Sequence, residues 1–202
     1  MLFRSVEARK LLEIFKSDEI KKALQFNYFK NGLININKDH PILDTILPIK
    51  RVENIPKSVY ICAYDTKNKK IHYFNKGNTQ TLCIASSALI PIFTPIHYEN
   101  KYLIDGGLFD NMPITPLEKK GYKIFCIDLM PKSEKNNTKR FDLLKPLKKK
   151  LFQTRLNNGN YSIANCDVYI THPHLREIPM FTFKGLQESF DFGYKEASKY
   201  FF

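Results

Sequence analysis

The 202-residue sequence predicts an α/β fold, because strand-like segments alternate with segments of helical periodicity. The apolar run from Ile124 to Met130 is typical of a strand that is covered on both faces, as in a parallel sheet. Residues 58–63 and 71–75 are strand-like and flank a polar turn, which indicates a hairpin. The length is close to that of one ordinary domain. We therefore expect a single α/β domain over residues 1–202.

The first part of the chain predicts two helices. Apolar residues recur at helical spacing within residues 2–16. Ser17-Asp18-Glu19 then combines a capping hydroxyl with two acids, which is typical of a helix start. We expect this second helix to end at Asn31-Gly32, because both residues tolerate the left-handed conformation of a helix C-cap. Residues 34–56 are irregular.

Four more elements are predicted beyond the hairpin. Small and apolar residues from Thr79 to Ile90 indicate a helix that Pro91 closes. Residues 102–104 form a very short apolar strand that runs directly into Asp105-Gly106-Gly107. A strand at residues 167–171 and an amphipathic helix at residues 186–201 complete the chain.

The sharpest local signal is the turn Asp105-Gly106-Gly107 directly after a strand. This order places a carboxylate at the carboxyl end of a sheet, where open α/β folds build their sites. The two glycines permit positive φ and a close backbone approach. The alternative is a plain turn with a solvated aspartate, since Asp-Gly is a common turn dipeptide.

Several motifs occur in an order that is similar to one family. They are Cys62-Ala63-Tyr64-Asp65-Thr66 before the hairpin turn, the run from Ala85 to Ile96, the run from Ile104 to Pro113, and the apolar strand from Ile124 to Met130. In this order the chain resembles the patatin-like phospholipases, the bacterial patatin family of lipid acyl hydrolases. The resemblance is close over roughly residues 55–130.

The resemblance implies a three-layer α/β/α sandwich that hydrolyses lipid or other acyl esters with a Ser–Asp dyad and no histidine. Asp105 would be the base, Gly106 and Gly107 its turn, and Asn111 a residue beside the site. The nucleophilic serine would lie in a G-x-S-x-G elbow, and a glycine-rich loop would supply the oxyanion-hole donors. No cofactor and no metal are implied.

The sequence departs from this pattern at the nucleophile. None of its nine serines has glycine two residues before and two after, and the first glycine is Gly32. We therefore expect a patatin-like domain that is truncated at its N-terminus and lacks the first strand, the oxyanion loop and the elbow. Ser86 and Ser87 are alternative nucleophiles, but without an elbow they are more typical of residues that pack against or cap a helix.

Two functional interpretations remain open at this point. In the first, the chain is part of a serine lipid acyl hydrolase, is inactive alone, and receives its nucleophile from a separate N-terminal segment. In the second, it is a non-catalytic patatin-like remnant that acts as a membrane- or partner-binding module.

Most of the positive charge is concentrated in residues 132–155. These residues contain nine basic and two acidic side chains and so contribute +7 of the net charge of +12. Interleaved leucines and phenylalanines make them a candidate for peripheral contact with an anionic membrane, and a solvated basic face is the alternative. No nucleic-acid-binding motif accompanies them, so a nucleic-acid partner is not expected.

The cysteines and histidines indicate neither disulfides nor a metal site. The four cysteines occur singly, without zinc-ligand spacing, which indicates reduced thiols and a cytoplasmic protein. His172-Pro173-His174 offers two ligands separated by a proline, which is more typical of a loop, and His40 is likewise assigned to a loop. No apolar run approaches the ~18 residues of a transmembrane helix.

Overall fold

The structure is a computed structural model that describes residues 7–30, 32–36, 40–129, 160–172, 175 and 185–201. Helices and strands alternate along these residues, so the fold is α/β, as the sequence predicts. The chain divides into two compact units, Met1–Asp110 and Asn111–Phe202. The predicted single domain and its three-layer arrangement stay predictions.

The first unit begins with two helices and a hairpin. Helix α1 (Ala8–Lys16) and helix α2 (Asp18–Ala23) are followed by antiparallel strands β1 (Leu24–Lys30) and β2 (Gly32–Ile36). The prediction of a second helix that continues to residue 31 is therefore wrong. Asn-Gly between segments rich in aromatic and β-branched residues is also the sequence signal of a hairpin, and that signal outweighs the helical spacing.

A four-stranded antiparallel sheet lies at the centre of the first unit, in the order β4-β3-β6-β5. Strands β3 (Ile61–Asp65) and β4 (Lys70–Phe74) form the predicted hairpin. Strands β5 (Ile96–Tyr98) and β6 (Lys101–Asp105) form a second hairpin, of which the sequence predicted only the second strand. Before β3, helix α3 (Ile42–Ile46) and a 3-10 turn (Val52–Asn54) fall in the segment that the sequence left irregular.

One face of this sheet packs against helix α4 (Thr79–Ser86). The Asn78 side chain caps the helix by accepting the Thr81 N–H at 2.8 Å. The helix ends at Ser86, before the predicted end at residue 90. Alternate residues of the strands point toward the helix because side chains in a strand alternate between faces. The resulting core contains Val52, Ile61, Ala63, Leu82, Ile84, Ala85, Ala88, Ile96 and Leu103.

The second unit is built on a pair of parallel strands. Strand β7 (Phe125–Asp128) pairs with strand β8 (Val168–Thr171), and Cys126 lies opposite Tyr169. Residues 160–164 form helix α5 and Leu186–Phe201 form helix α6. The buried carboxylate of Asp128 accepts the Tyr169 hydroxyl at 2.5 Å, which joins the two strands through their side chains.

Among the described residues, strand β7 is covered on one face only. Cys126 and Asp128 are buried, whereas Ile127 is 59% exposed and Leu129, directly after the strand, is 68% exposed. The sequence predicts cover on both faces of this apolar run, and the described residues supply it on one face. In the part of the chain that the structure describes, no helix is long and apolar enough to cross a membrane.

Asp65, at the end of β3, is a fully buried carboxylate within the first hairpin. Its oxygens accept the Lys67 N–H at 3.0 Å and the Asn68 side-chain amide at 2.6 Å, and the Tyr102 N–H lies at 3.4 Å. Burial alone would raise the pKa of the Asp65 carboxyl, but these hydrogen bonds outweigh burial and lower it. Asp65 thus joins the hairpin turn to β6 as a structural anion.

We expect Asp65→Ala to lower the free energy of unfolding by about 2–4 kcal/mol, because it leaves buried donors without an acceptor. The loss should be measured by chemical denaturation at neutral pH. Because the folded-state pKa of Asp65 is lowered, its contribution is complete above the unfolded-state pKa of about 4 and disappears as the pH falls through the folded-state pKa.

Asp44→Ala provides the matched control, since Asp44 is an exposed aspartate that accepts a hydrogen bond from Gln80 at 2.7 Å. This control should change the stability little. Equal effects of the two substitutions would contradict a structural role for buried Asp65.

Candidate functional site

The candidate site is centred on Asp105, the last residue of β6. Strand pairing places it opposite Ala63, and its N–H donates to the Ala88 carbonyl at 3.1 Å. A 3-10 turn (Gly106–Leu108) follows immediately, and the Gly107 N–H donates to Asp105 Oδ1 at 2.7 Å. The backbone and one carboxylate oxygen of Asp105 are thereby held at the end of the strand.

The Asp105 carboxyl is half-buried and has one hydrogen-bond donor from the turn. Burial raises its pKa above the ordinary value, and the hydrogen bond from the Gly107 N–H opposes this effect without cancelling it. A carboxylate with a raised pKa is better suited to accept a proton than an ordinary surface aspartate. The role of Asp105 as a base remains a prediction.

Gly106 is required by a close contact rather than by its backbone angle. The expectation of positive φ is wrong here, since neither Gly106 nor Gly107 has it. A Cβ at Gly106 would lie 2.5 Å from Cys62 Sγ and 2.8 Å from both the carbonyl carbon and the carbonyl oxygen of Cys62. The missing side chain therefore allows the turn to lie directly against β3.

Two residues that the sequence did not single out, Tyr73 and Asp110, lie around the same turn. The Tyr73 hydroxyl on β4 donates to Asp110 Oδ2 at 2.6 Å. Burial first, and then the negative charges of Asp110 and Asp105, raise the pKa of the Cys62 thiol to about 12. Cys62 is therefore a neutral thiol near two acidic side chains. The sequence contains one clue to Asp110, which is an acid within the same glycine turn motif.

The other predicted site residues take ordinary structural positions. Ser86 is the last residue of α4, and Ser87 follows it as the exposed C-cap, whose hydroxyl donates to the Cys83 carbonyl at 3.0 Å. The capping interpretation thus fits Ser87. Asn111 is half-buried and is the first residue of the second unit.

The described ranges contain no group of three or more His, Cys, Asp or Glu side chains that could hold a metal ion. The His172 ring packs against Phe192 at 4.5 Å between ring centroids, while Pro173 and His174 lie outside the described residues. His40 is half-buried, and its Nδ1 accepts the Ile42 N–H at 3.3 Å. The basic stretch 132–155 also lies outside the described residues.

Comparison with known proteins identifies the same part of the chain. A family model described as patatin-like phospholipase matches residues 3–118, a range that includes Asp105 and its turn. The chain is 32% identical over 72 residues to the lysophospholipase NTE1 of Meyerozyma guilliermondii. That stretch is 35% of this chain and 5% of the relative, so the chain matches a small part of that protein's length.

We expect Gly106→Ala to lower the free energy of unfolding by about 2–4 kcal/mol, because the added methyl group would meet the Cys62 backbone, which cannot rotate away. Gly193→Ala is the matched control, since a Cβ at this position would meet no described atom within 4 Å apart from the adjoining backbone of its own helix. The control should stabilise α6 by about 0.5–1 kcal/mol. The denaturant midpoints of the two variants should be measured against the wild type. A Gly106→Ala variant with the wild-type midpoint would contradict the close contact.

We expect Asp105→Asn to raise the melting temperature at neutral pH, because it removes the cost of keeping a charge in a half-buried position while the amide oxygen still accepts the Gly107 N–H. Since the folded-state pKa of Asp105 is raised, this gain is present above that pKa and vanishes below the unfolded-state pKa of about 4. Thermal unfolding between pH 3 and pH 8 tests the sign, and destabilisation at neutral pH would contradict it.

Proposed function

This chain belongs to the patatin-like phospholipase family, and from that premise we propose that it is the aspartate-bearing part of a serine lipid acyl hydrolase. Its substrate would be a lipid or another acyl ester. The observation that supports the proposal is the environment of Asp105, a half-buried carboxylate with a raised pKa whose Oδ1 is held by the Gly107 N–H.

In this proposal Asp105 is the base of a Ser–Asp dyad. Its carboxylate accepts the proton of a serine hydroxyl while the serine oxygen bonds to the ester carbonyl carbon. The proton then passes to the alcohol oxygen as the ester C–O bond breaks, which leaves the acyl group on the serine. Water, with Asp105 again as the base, hydrolyses this acyl-enzyme. Because Asp105 Oδ1 accepts the Gly107 N–H, Oδ2 is the oxygen assigned to proton transfer.

The nucleophile, in this proposal, comes from a segment outside these 202 residues, because no serine here has the G-x-S-x-G pattern. Ser86 and Ser87 lie at the C-terminal end of α4. The negative end of the helix dipole disfavours a developing alkoxide at that position, whereas an elbow serine sits between a strand and the start of a helix. Both residues are therefore assigned a structural role.

The exposed apolar face of β7 supports the proposal of a separate N-terminal segment as a partner. Burying a side chain such as Ile127 or Leu129 contributes roughly 1.5–3 kcal/mol. That is a large share of the ~5–15 kcal/mol that stabilises a whole domain. A segment that covers this face would therefore raise the stability of the chain measurably.

Peripheral membrane contact through residues 132–155 is a further part of the proposal and is supported by their net charge of +7. Each basic residue near an anionic bilayer contributes about 1 kcal/mol of attraction. Sedimentation with vesicles that contain anionic lipid, compared with neutral vesicles, tests this contact. Binding to neither would favour the solvated basic face. The four free thiols support a reducing compartment, and we propose a cytoplasmic location on that basis.

The alternative proposal is a non-catalytic patatin-like remnant that binds a membrane or a partner. It is favoured by the lack of an elbow serine together with the exposed side chains of β7. The DNA upstream of the start codon distinguishes the two proposals. A G-x-S-x-G coding sequence there, in frame or shifted by a frame, favours the hydrolase.

We expect the chain alone to show no hydrolysis of short-chain nitrophenyl esters, and Ser86→Ala and Ser87→Ala to leave that background unchanged. A supplied segment that bears G-x-S-x-G should produce hydrolysis and raise the melting temperature. Asp105→Asn should then reduce kcat by at least about 10²-fold, because it removes the base.

Asp44→Asn, an exposed substitution, is the matched control and should retain the activity. Turnover by the chain alone that Ser86→Ala or Ser87→Ala abolishes would place the nucleophile within the chain. A cooperative monomeric transition that the segment leaves unchanged would contradict the separate segment and favour the non-catalytic alternative.

A further inference from the structure

The turn that carries Asp105 is attached to the β3–β4 hairpin at two points beyond the strand pairing. The Phe109 ring stacks on the Tyr64 ring, with 3.5 Å between the centroids and an interplanar angle of 9°. The Tyr73 hydroxyl donates to Asp110 Oδ2 at 2.6 Å. Both contacts join residues of the hairpin to the segment that directly follows the Asp105 turn.

The backbone links these contacts to Asp105. The N–H groups of Phe109 and Asp110 both donate to the Gly106 carbonyl, at 2.9 Å and 2.8 Å. Holding Asp110 therefore holds the peptide group between Gly106 and Gly107, which also contains the Gly107 N–H that orients the carboxylate. Tyr73 is paired with Cys62 in the hairpin, and Cys62 is the residue that Gly106 contacts. The hydrogen bond between Tyr73 and Asp110 therefore joins the hairpin to the turn beside this contact.

We propose that Tyr73 and Asp110 are positioning residues, which orient the Asp105 carboxylate by fixing the turn between Asp105 and Asp110. The proposal rests on the proposed hydrolase function for its catalytic meaning, but the orientation itself is a property of the chain alone. Tyr73 acts as the donor because the Asp110 carboxylate is a charged acceptor, and such hydrogen bonds are about twice as strong as neutral ones.

A purely structural contact would stabilise the hairpin without affecting Asp105. Tyr73→Phe separates the two roles, since it removes only the hydroxyl and keeps the ring and the Asp110 charge. Tyr102→Phe is the matched control, because Tyr102 is a half-exposed tyrosine on β6 of the same sheet. Ile96→Val is a second control that lowers stability through the core.

The test is NMR of the full chain labelled with 13C-aspartate and 15N, with the Asp105 carboxyl carbon assigned from Asp105→Asn. In Tyr73→Phe, the Gly107 amide should exchange with solvent about tenfold faster. The titration midpoint of Asp105 should move further above the ordinary carboxyl value, because the loosened turn weakens the Gly107 N–H hydrogen bond that lowers the pKa of this carboxyl. Tyr102→Phe and Ile96→Val should leave both observations at their wild-type values.

Asp110→Leu should reproduce the effect, and the double variant should add little to either single one, because the two residues form one contact. A Tyr73→Phe chain with lowered melting temperature but an unchanged Gly107 amide and Asp105 midpoint would overturn the proposal. With the elbow segment supplied, Tyr73→Phe should lower kcat about tenfold and leave KM unchanged. If the wild type then shows no hydrolysis, the proposed function fails, while the NMR result still decides the positioning role.

Discussion

The candidate site depends on the contact between Gly106 and Cys62. The α-carbon of Gly106 lies so close to β3 that a methyl group would meet the Cys62 carbonyl. This approach lets β6 end beside β3, directs the chain into a 3-10 turn, and brings the Gly107 N–H onto the carboxylate of Asp105. Any larger residue at this position would separate the turn from the sheet, so the geometry around the Asp105 carboxylate follows from one missing side chain.

Two aspartates on neighbouring strands have pKa values that are shifted in opposite directions, because their hydrogen bonding differs. Asp65 and Asp105 each end a strand of the same sheet. The hairpin donors around Asp65 outweigh burial and lower its pKa, so that carboxylate is a stable anion. Asp105 receives the Gly107 N–H, burial dominates, and its pKa is raised. A raised pKa suits a carboxylate to accept a proton, which is the role we propose for Asp105.

The two units differ in how well their strands are covered. In the first unit, α4 packs on the sheet and completes a closed core with Leu82 and Leu103 fully buried. In the second, the apolar strand β7 buries Cys126 and Asp128 and leaves its other face exposed. Parallel strands of α/β folds are typically covered on both sides and are therefore apolar throughout. The apolar sequence of β7 is therefore typical of a strand with both faces buried, whereas the described residues bury one face.

Local sequence determined the elements whose signals are short-range. The hairpin of β3 and β4, the parallel strands β7 and β8, helix α6, and the position of Asp105 before two glycines could all be predicted from spacing and composition. These features depend on neighbours along the chain, so their patterns are visible without a structure.

Only the tertiary structure decided the features that depend on residues distant in sequence. Gly106 is required by Cys62, 44 positions earlier, and Asp110 is held by Tyr73, 37 positions earlier. No local pattern encodes these contacts, because strand pairing and side-chain packing bring such residues together only when the chain folds.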